Sequence, residues 1–342
     1  MFNKFASIEQ FRNIVKAVQH TARYKNTDEN GMVHFDMSAE LPKIDFYATT
    51  KIHGTNAAIG VNIRTTEYFT QSRNNIITPE NDNLGFSAWA NREDVKDHFY
   101  NEFSYILSTL EPEFVDPIST LIVYGEWAGK GIQKGVAVSE VEKFFAPFSL
   151  KVTFENGQEK EFNIETEFLN SELRIFPVYM FGCEKITIDF EHPELAQNML
   201  VEKCLEVENN CPAGKYFGVD GIGEGIVLTA SHNNKIMRFK IKGEKHSVSK
   251  VKTLAAVDVE KINAVSDFVE YAVTDNRLKQ GLEYLAEQKL ENDVKNIGVF
   301  IKWLVSDVRK EEQDTISQNG LDEKILNKQL TVAAKKWFLA QI

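Results

Sequence analysis

Cysteine is scarce in this chain. Cys183, Cys204 and Cys211 are its three cysteines, and no two of them form a Cys-x-x-Cys pair. Neither a disulfide framework nor a zinc site is therefore suggested. Long apolar runs are absent as well: no stretch approaches the roughly eighteen consecutive apolar residues of a membrane span, and the N-terminus shows no signal-peptide pattern. The expectation is a cytoplasmic protein with no membrane partner. No internal repeat or low-complexity run is evident. The glycine-rich stretch Gly129-Lys130-Gly131-Ile132-Gln133-Lys134-Gly135 lacks the spacing of a P-loop and reads as a flexible loop rimming a site. Positive charge is in deficit, with a net charge of −11, which argues against indiscriminate nucleic-acid binding.

What is present is ordinary for a globular protein. Hydrophobic residues make up 43% of the 342 and charged residues 26%, enough for one large or two ordinary domains with a real core. The charge is uneven. Between Thr229 and Lys252 stand seven basic residues (Lys235, Arg238, Lys240, Lys242, Lys245, Lys250 and Lys252) against the single acid Glu244. Such a local patch can bind phosphate while an acidic remainder restricts contact to it. A solvated basic strand is the alternative.

Periodicity places the elements. Ser7-Ile8-Glu9-Gln10 has the form of a capping box, with Ile8, Phe11, Val15 and Val18 on one helical face. Residues 21–40 read as a polar loop. Ile44, Phe46, Ala48 and Thr50 alternate with polar residues, and alternation resumes at Ala57, Ile59, Val61 and Ile63; Lys51-Ile52-His53-Gly54-Thr55-Asn56 lies between. The pattern predicts strand–turn–strand, a hairpin with Lys51 at a strand end. Such a lysine meets either a phosphate in a pocket or plain solvent. Further strands are predicted at 68–73, at 121–129 ending in Glu126, and at 176–182 with Tyr179 and Phe181 on one face. A helix is predicted over 86–110, a hairpin around Asn156-Gly157, and an acidic amphipathic helix over 193–209. An acid at the end of a buried strand, like Glu126, must be hydrogen-bonded or face a cleft. Lys240 and Lys242 lie two apart, so both point to one face of a strand, where they serve a site or guard an edge.

Taken in order, these segments resemble the RNA ligase 2 type of RNA ligase, which includes phage double-strand ligases and kinetoplastid editing ligases among the covalent nucleotidyltransferases. Lys51-x-His53-Gly54-Thr55-Asn56 is similar to the family's nucleophile motif, although relatives usually carry Asp where His53 stands. Ser72-Arg73, Glu126, the aromatic strand with Tyr179, Glu224-Gly225-Ile226-Val227-Leu228 and Lys240-Ile241-Lys242 follow, so the resemblance covers roughly 40–250. It implies ATP and Mg²⁺ as cofactors. Lys51 would be the nucleophile, assisted by Lys240 and Lys242 on the phosphates. Thr50, Ile52, His53, Asn56, Arg73, Glu126, Tyr179 and Glu224 would bind the nucleotide. Tyr179 would stack on adenine, Glu126 would take the ribose hydroxyls, and Glu224 would lie by the α-phosphate and the metal. Because a lysine attacks only as the neutral amine, Lys240 and Lys242 are further expected to lower the pKa of Lys51.

Beyond about Ser247 the periodicity turns purely helical. Val259, Ile262, Val265, Phe268, Val269 and Ala272 are spaced for one helix. Leu278, Leu282 and Leu285 follow, then Ile297, Phe300, Ile301, Leu304, Val305 and Val308, and finally Leu326, Leu330, Ala333 and Trp337. The expected class is α+β, with a nucleotidyltransferase domain of antiparallel sheets over 1–247 and a small all-helical domain over 248–342. The expected function is ATP-dependent sealing of 3′-hydroxyl and 5′-phosphate RNA ends. The expected partner is a nicked RNA duplex, bound by a monomer. DNA-directed or single-strand joining, GTP-dependent capping and an inactive RNA-binding relative stand as alternatives.

Overall fold

The computed structural model describes residues 2–6, 8–110, 117–243, 245–246, 265–318 and 320–342, apart from the side chains of 267, 314 and 318. Ser7, Ser247, Val259 and Ile262, and the basic residues Lys250 and Lys252 with Glu244, lie outside the described residues. The chain divides into two compact units, Met1–Ile241 and Lys242–Ile342.

The first unit is built on two antiparallel sheets. The larger has six strands in the order β6 (Ile76–Ile77), β5 (Glu67–Ser72), β4 (Thr55–Asn62), β7 (Ile118–Ala128), β8 (Phe144–Phe154) and β9 (Glu159–Asn163). The smaller has four, in the order β10 (Cys183–Asp189), β3 (Lys43–Thr50), β11 (Gly225–His232) and β12 (Lys235–Lys242). Helix α1 (Phe11–Arg23) precedes the sheets. A two-stranded ribbon, β1 (Tyr24–Thr27) with β2 (Val33–Phe35), lies within what the sequence reads as loop. Helices α2 (Phe86–Ala90) and α3 (Glu93–Leu110) occupy the single predicted helix, broken at Asn91 and Arg92. Helices α4 (Glu194–Asn209) and α5 (Pro212–Tyr216) complete the unit.

The larger sheet packs one face on α2 and α3 through Phe86, Phe99, Phe103, Val123, Trp127 and Phe145. Alternation of inward apolar and outward polar residues is what the antiparallel arrangement requires. In β3 it holds from Lys43 to Ala48 and then stops, because Thr49 and Thr50 are both buried. The strand is thus covered on both faces at the end that leads to Lys51.

The predicted hairpin around Lys51 does not form. β3 pairs with β10 and β11, whereas β4 pairs with β5 and β7. The residues between them carry the chain from one sheet to the other. Alternation tells which segments are strands, but not that successive strands are partners. The N-terminal capping box is likewise unused: α1 begins at Phe11, and Gln10 at its start makes no side-chain cap. Glu9 instead forms a parallel bridge with Phe239, exchanging backbone bonds with Arg238 and Lys240 along the rim of β12. The hairpin of β8 and β9 forms as predicted, with Gly157 at φ +83°. Between β11 and β12, Asn233 and Asn234 both take positive φ, as a two-residue hairpin turn demands.

The second unit has helices α6 (Val265–Ala272), α7 (Asp275–Glu287), α8 (Ile297–Gln318) and α9 (Glu323–Leu339). Its own core joins Phe268, Leu278, Leu285, Phe300, Leu304, Val308, Leu326, Leu330, Ala334 and Phe338. On α9 the buried stripe runs through Ala334 and Phe338, one residue beyond the predicted Ala333 and Trp337. The class is therefore α+β with antiparallel sheets followed by helices. Among the described residues, no helix is long and apolar enough to cross a membrane.

Candidate active site

The crossing from β3 to β4 is fixed at three points. Lys51 donates its backbone N–H to Gly225 O, which ties the crossing to the start of β11. Ile52 is buried in an apolar cluster with Ala128, Phe144, Phe176 and Phe181. Gly54 lies so close to β7 that a Cβ there would stand 2.3 Å from Trp127 O, and its N–H is donated to Glu126 Oε1 at 3.2 Å. Anchoring Ile52 on one side leaves Lys51 and His53 with their polar ends free to meet a common partner.

That partner is Glu224. Lys51 Nζ lies 2.6 Å from Glu224 Oε2, and His53 Nδ1 lies 3.2 Å from the same oxygen. The Glu224 side chain is only 2% exposed. A carboxylate so buried needs paired charge or hydrogen bonds, and the crossing supplies both. Burial pulls the Lys51 pKa down. The charges of Glu224 and Glu126 and the hydrogen bond that Lys51 donates to Glu224 outweigh it, while Arg73 pulls down as well, and the net shift is upward from 10.5. This corrects the expectation of a lowered pKa. Two carboxylates face the amine, and the charge of Arg73 acts against them.

A cavity opens beside the pair. Lys51, Glu126, Thr49, Thr50, Ile52, Val178, Tyr179, Phe148, Val227, Thr229, Arg238 and Ile8 line it. Of the residues singled out in the sequence, it thus gathers Thr50, Lys51, Ile52, Glu126 and Tyr179, with Glu224 bonded to Lys51 and His53 bonded to Glu224. Asn56 stands opposite Glu126 in the β4–β7 register. Arg73 follows the end of β5 and is exposed. Lys240 and Lys242 lie on the strand face that also carries Arg238, with Phe239 and Ile241 buried between them, but neither lines this cavity. The predicted strand at 176–182 is instead a 3₁₀ turn, Val178–Phe181, entered from Pro177 and left through Gly182 at φ +101°. Tyr179 faces the cavity, and Phe181 belongs to the apolar core.

The sequence reading missed several lining residues. Arg238 was counted only within a basic stretch. It pairs with Glu161, donates to Asn163 at 2.9 Å, and stacks over Phe5 at 5.5 Å. Phe148 comes from a hairpin to which no role was given, Thr229 from β11 just past the motif that ends at Leu228, and Ile8 from the segment read as a cap. Period-two spacing from Val227 could have found Thr229. Nothing local could have found Phe148 or Ile8, because only the pairing of distant elements brings them to the cavity.

The architecture defines a class: a two-sheet domain that presents a lysine amine, clamped by a buried carboxylate, at one end of an aromatic-lined cavity. The family model for RNA ligase matches residues 44–252. That span is more than half the chain and holds every residue of the site just described except Ile8, so the chain belongs to the RNA ligase family. Among curated proteins, none matches. Among solved structures, the chain is similar to a Naegleria gruberi RNA ligase with PPi, at 14% identity and TM-score 0.39, over 71% of this chain and 56% of that one. A variant of that ligase with ATP and Mn gives 14% identity and TM-score 0.40 over the same shares. An archaeal ATP-dependent RNA ligase gives 12% identity and TM-score 0.33, over 71% and 48%. The chain thus spans about half the length of the solved ligases it matches.

Proposed function

We propose that this chain is an ATP-dependent RNA ligase of the RNA ligase 2 type, which seals 3′-hydroxyl and 5′-phosphate ends and prefers nicks in duplex RNA. The observation that carries the reading is the Lys51–Glu224 pair at 2.6 Å, beside a cavity that Lys51 lines together with Tyr179, Phe148 and Val227. An aromatic and a branched aliphatic side chain suit the two faces of a purine. The carboxylate of Glu126 can only accept hydrogen bonds, which suits ribose hydroxyls.

In the first step the Lys51 amine attacks the α-phosphorus of ATP. A N–P bond forms, pyrophosphate leaves with the electron pair of the broken P–O bond, and the amine gives up its proton, to yield lysyl-AMP. In the second step an oxygen of the RNA 5′-phosphate attacks the adenylyl phosphorus, the N–P bond breaks, and the Lys51 amine leaves with its electron pair and regains a proton. In the third the 3′-hydroxyl attacks that phosphate and AMP departs. Each step needs in-line geometry and charge stabilisation more than a general base. Arg73, Lys240 and Lys242 supply positive charge for the phosphates.

The site's donors fit Mg²⁺, which usually keeps several waters and takes one or two carboxylates together with phosphates. Glu224 and Glu126 are the two at hand. Among the described residues no group of three or more His, Cys, Asp or Glu is placed to hold a metal by itself, so the nucleotide's phosphates complete the set. When bound, the ion supplies charge neutralisation for the phosphates. Glu224 meanwhile has a second task. While it clamps Lys51 the amine is an ammonium, so attack requires Glu224 to release it.

The test is incubation with α-labelled ATP and Mg²⁺ followed by denaturing electrophoresis. A labelled band in the full chain and none in Lys51→Ala is expected. A band that persists in Lys51→Ala would remove the assignment. A panel of nicked duplexes with ribose or deoxyribose at the 3′-hydroxyl end, beside single-stranded RNA, tests the substrate. Indifference to that sugar, or faster joining of single strands, would point to DNA-directed or end-joining activity.

A further inference from the structure

A second cavity lies behind the nucleotide cavity. The β3–β11 register sets Thr49 opposite Val227 and Thr50 opposite Ile226, and successive strand residues point to opposite faces. Val227 lines the nucleotide cavity, whereas Ile226 lines a larger one, of about 550 Å³, between the smaller sheet and α4. Thr49 and Thr50 belong to the walls of both. So does the 3₁₀ turn Val178–Phe181: Tyr179 lines the first cavity, and Phe181, with Gly182 and Cys183 after it, lines the second. The end of β3 and this turn therefore form a partition between the two. The second cavity joins unlike surfaces. Phe181, Val207, Pro212 and Ile226 make part of it apolar. Thr50 is 4% exposed, and its hydroxyl makes no hydrogen bond among the described residues, although a buried hydroxyl calls for a partner. Lys203, Glu184 and Glu206 also line the cavity, with Lys203 Nζ 2.5 Å from Glu184 and 2.7 Å from Glu206. Both carboxylates are half-exposed, and two of them against one ammonium leave negative charge in excess.

We propose that this second cavity binds a small organic cation, a primary amine on an apolar body, and that its occupation hinders reaction with ATP. The volume lies within the range of roughly 300–1,000 Å³ usual for small-molecule pockets. The apolar part accepts the body of such a ligand. An ammonium donates three hydrogen bonds and accepts none, which suits Glu184, Glu206 and the Thr50 hydroxyl. An anion would meet the excess carboxylate instead. The effect on ATP follows from the partition. The nucleotide cavity measures about 60 Å³, far below that range, so its walls must move apart to admit a nucleotide. The partition is one of those walls, and a ligand seated behind it opposes the movement. Such coupling is reciprocal, so ATP should weaken the amine by the same factor. Binding of the amine does not depend on the ligase reading, whereas its effect on ATP rests on it.

Cys183 makes the site readable. It lines the second cavity and is exposed, while Cys204 and Cys211 are buried, so it is the thiol that a reagent in solution reaches. The full chain is treated with a neutral aromatic disulfide, which amines do not consume, in the presence of hexylamine, hexanol or hexanoate. Labelling of Cys183 is followed by mass spectrometry, and adduct formation is titrated with labelled ATP in parallel. Hexylamine is expected to slow labelling severalfold in a saturable way, and hexanoate to leave it unchanged. It should also raise the ATP concentration for half-maximal adduct about fivefold or more. A variant carrying both Glu184→Gln and Glu206→Gln keeps Lys203 and reverses the charge of the site. It should lose protection by hexylamine, gain protection by hexanoate, and form adduct like the unmodified chain when no amine is added. Equal protection by hexanol and hexylamine, or none by hexylamine, overturns the cation site. Protection by hexylamine with no change in the ATP titration overturns the coupling. Failure of the unmodified chain to form any adduct overturns the ligase reading, and the labelling experiment still decides the cavity.

Discussion

Lys51 Nζ lies 2.6 Å from Glu224 Oε2, and His53 Nδ1 approaches the same oxygen at 3.2 Å. The two ends of the crossing between sheets are thereby tied to the first residue before β11. The contact fixes the crossing and, under the ligase reading, also holds the nucleophile, so mutations here should register in stability and in reactivity separately.

Lys51→Ala removes the only lysine of this pair and leaves Glu224 buried with His53 as its remaining partner at the crossing. Breaking a buried pair from one side is costly because the other charge stays behind. The substitution should abolish the adduct and also lower stability by about 1–3 kcal/mol. Lys51→Ala with Glu224→Gln should recover part of that loss, since a neutral amide is left in place of a carboxylate. Denaturant titrations of the single and double variants check this. An additive pair of losses would mean that the contact carries no coupling.

The raised pKa of Lys51 sets a pH dependence. Because the folded value lies above the ordinary 10.5, the stabilisation from the charged amine is complete at neutral pH and is lost only as pH climbs through the folded value. Reactivity runs the opposite way, since the neutral amine grows about tenfold per pH unit below the pKa. Labelling of Lys51 in the nucleotide-free protein by an amine reagent, read by mass spectrometry, should still be rising at about pH 10. In Glu224→Gln the profile should move to lower pH, because the largest upward influence is gone while burial and Arg73 remain. A profile unmoved by that change would show that Glu224 does not hold the proton.

Much of the larger sheet was legible in the sequence as short apolar segments bounded by turn residues. β5, β7 and the β8–β9 hairpin are examples, although their centres are buried on both faces and so do not alternate, and α4 shows the helical counterpart. The lysine stretch was legible as a strand end but not as a crossing, since partner choice is decided by distant strands. Residues 176–182 misled for a different reason. Their aromatic composition fits a strand, but Pro177 and Gly182 fold them into a tight turn that sends Tyr179 and Phe181 to different surroundings. Arg238 was hidden by its basic neighbours, and only the tertiary pairing with Glu161 and Asn163 of β9 sets it apart from Lys240 and Lys242.

Gly54→Ala should be severe. The added Cβ would meet Trp127 O at 2.3 Å and Glu126 Cγ at 2.9 Å, and a strand carbonyl cannot step aside as a flexible side chain can. Overpacking of this kind costs about 1–3 kcal/mol or more. It would also push the crossing away from Glu126 and displace Lys51. Adduct formation per folded molecule should fall at least about tenfold, the effect of a misplaced nucleophile. Normal adduct formation at a lowered thermal midpoint would show that the crossing tolerates the shift.

Tyr179 and Phe181 offer a direct contrast within one turn. Phe181 is 3% exposed and packs against Phe144 and Phe217. Phe181→Ala should therefore cost about 3–5 kcal/mol while the surviving folded protein still reacts with ATP. Tyr179 lines the cavity and is half-buried, so Tyr179→Ala should leave the thermal midpoint nearly in place and raise the ATP concentration needed for half-maximal adduct. Thermal melts and adduct titrations of both variants decide between the two roles. Exchange of the two phenotypes would make Phe181 the nucleotide contact.

Reaction with ATP should need only the chain up to about Val248, which is the first unit together with Lys242. The described residues that line the cavity or clamp Lys51 all precede Ile241, and the apolar clusters around the site are built from residues of the first unit. The helices from Val265 onward bury Phe268, Phe300, Leu330 and Phe338 among themselves. A fragment ending near Val248 should therefore fold, melt cooperatively and form lysyl-AMP at a rate within about threefold of the full chain, since removing an independent core leaves the first intact. Under the ligase reading, the same fragment should fail on nicked duplex RNA, because it lacks the helical unit. Single-turnover assays separate the steps, one with ATP alone and one with a pre-adenylated nicked duplex. Equal sealing by the fragment and the full chain would remove the helical unit from the reaction. Loss of adduct in a fragment that still melts cooperatively would show that the second unit contributes to the first step.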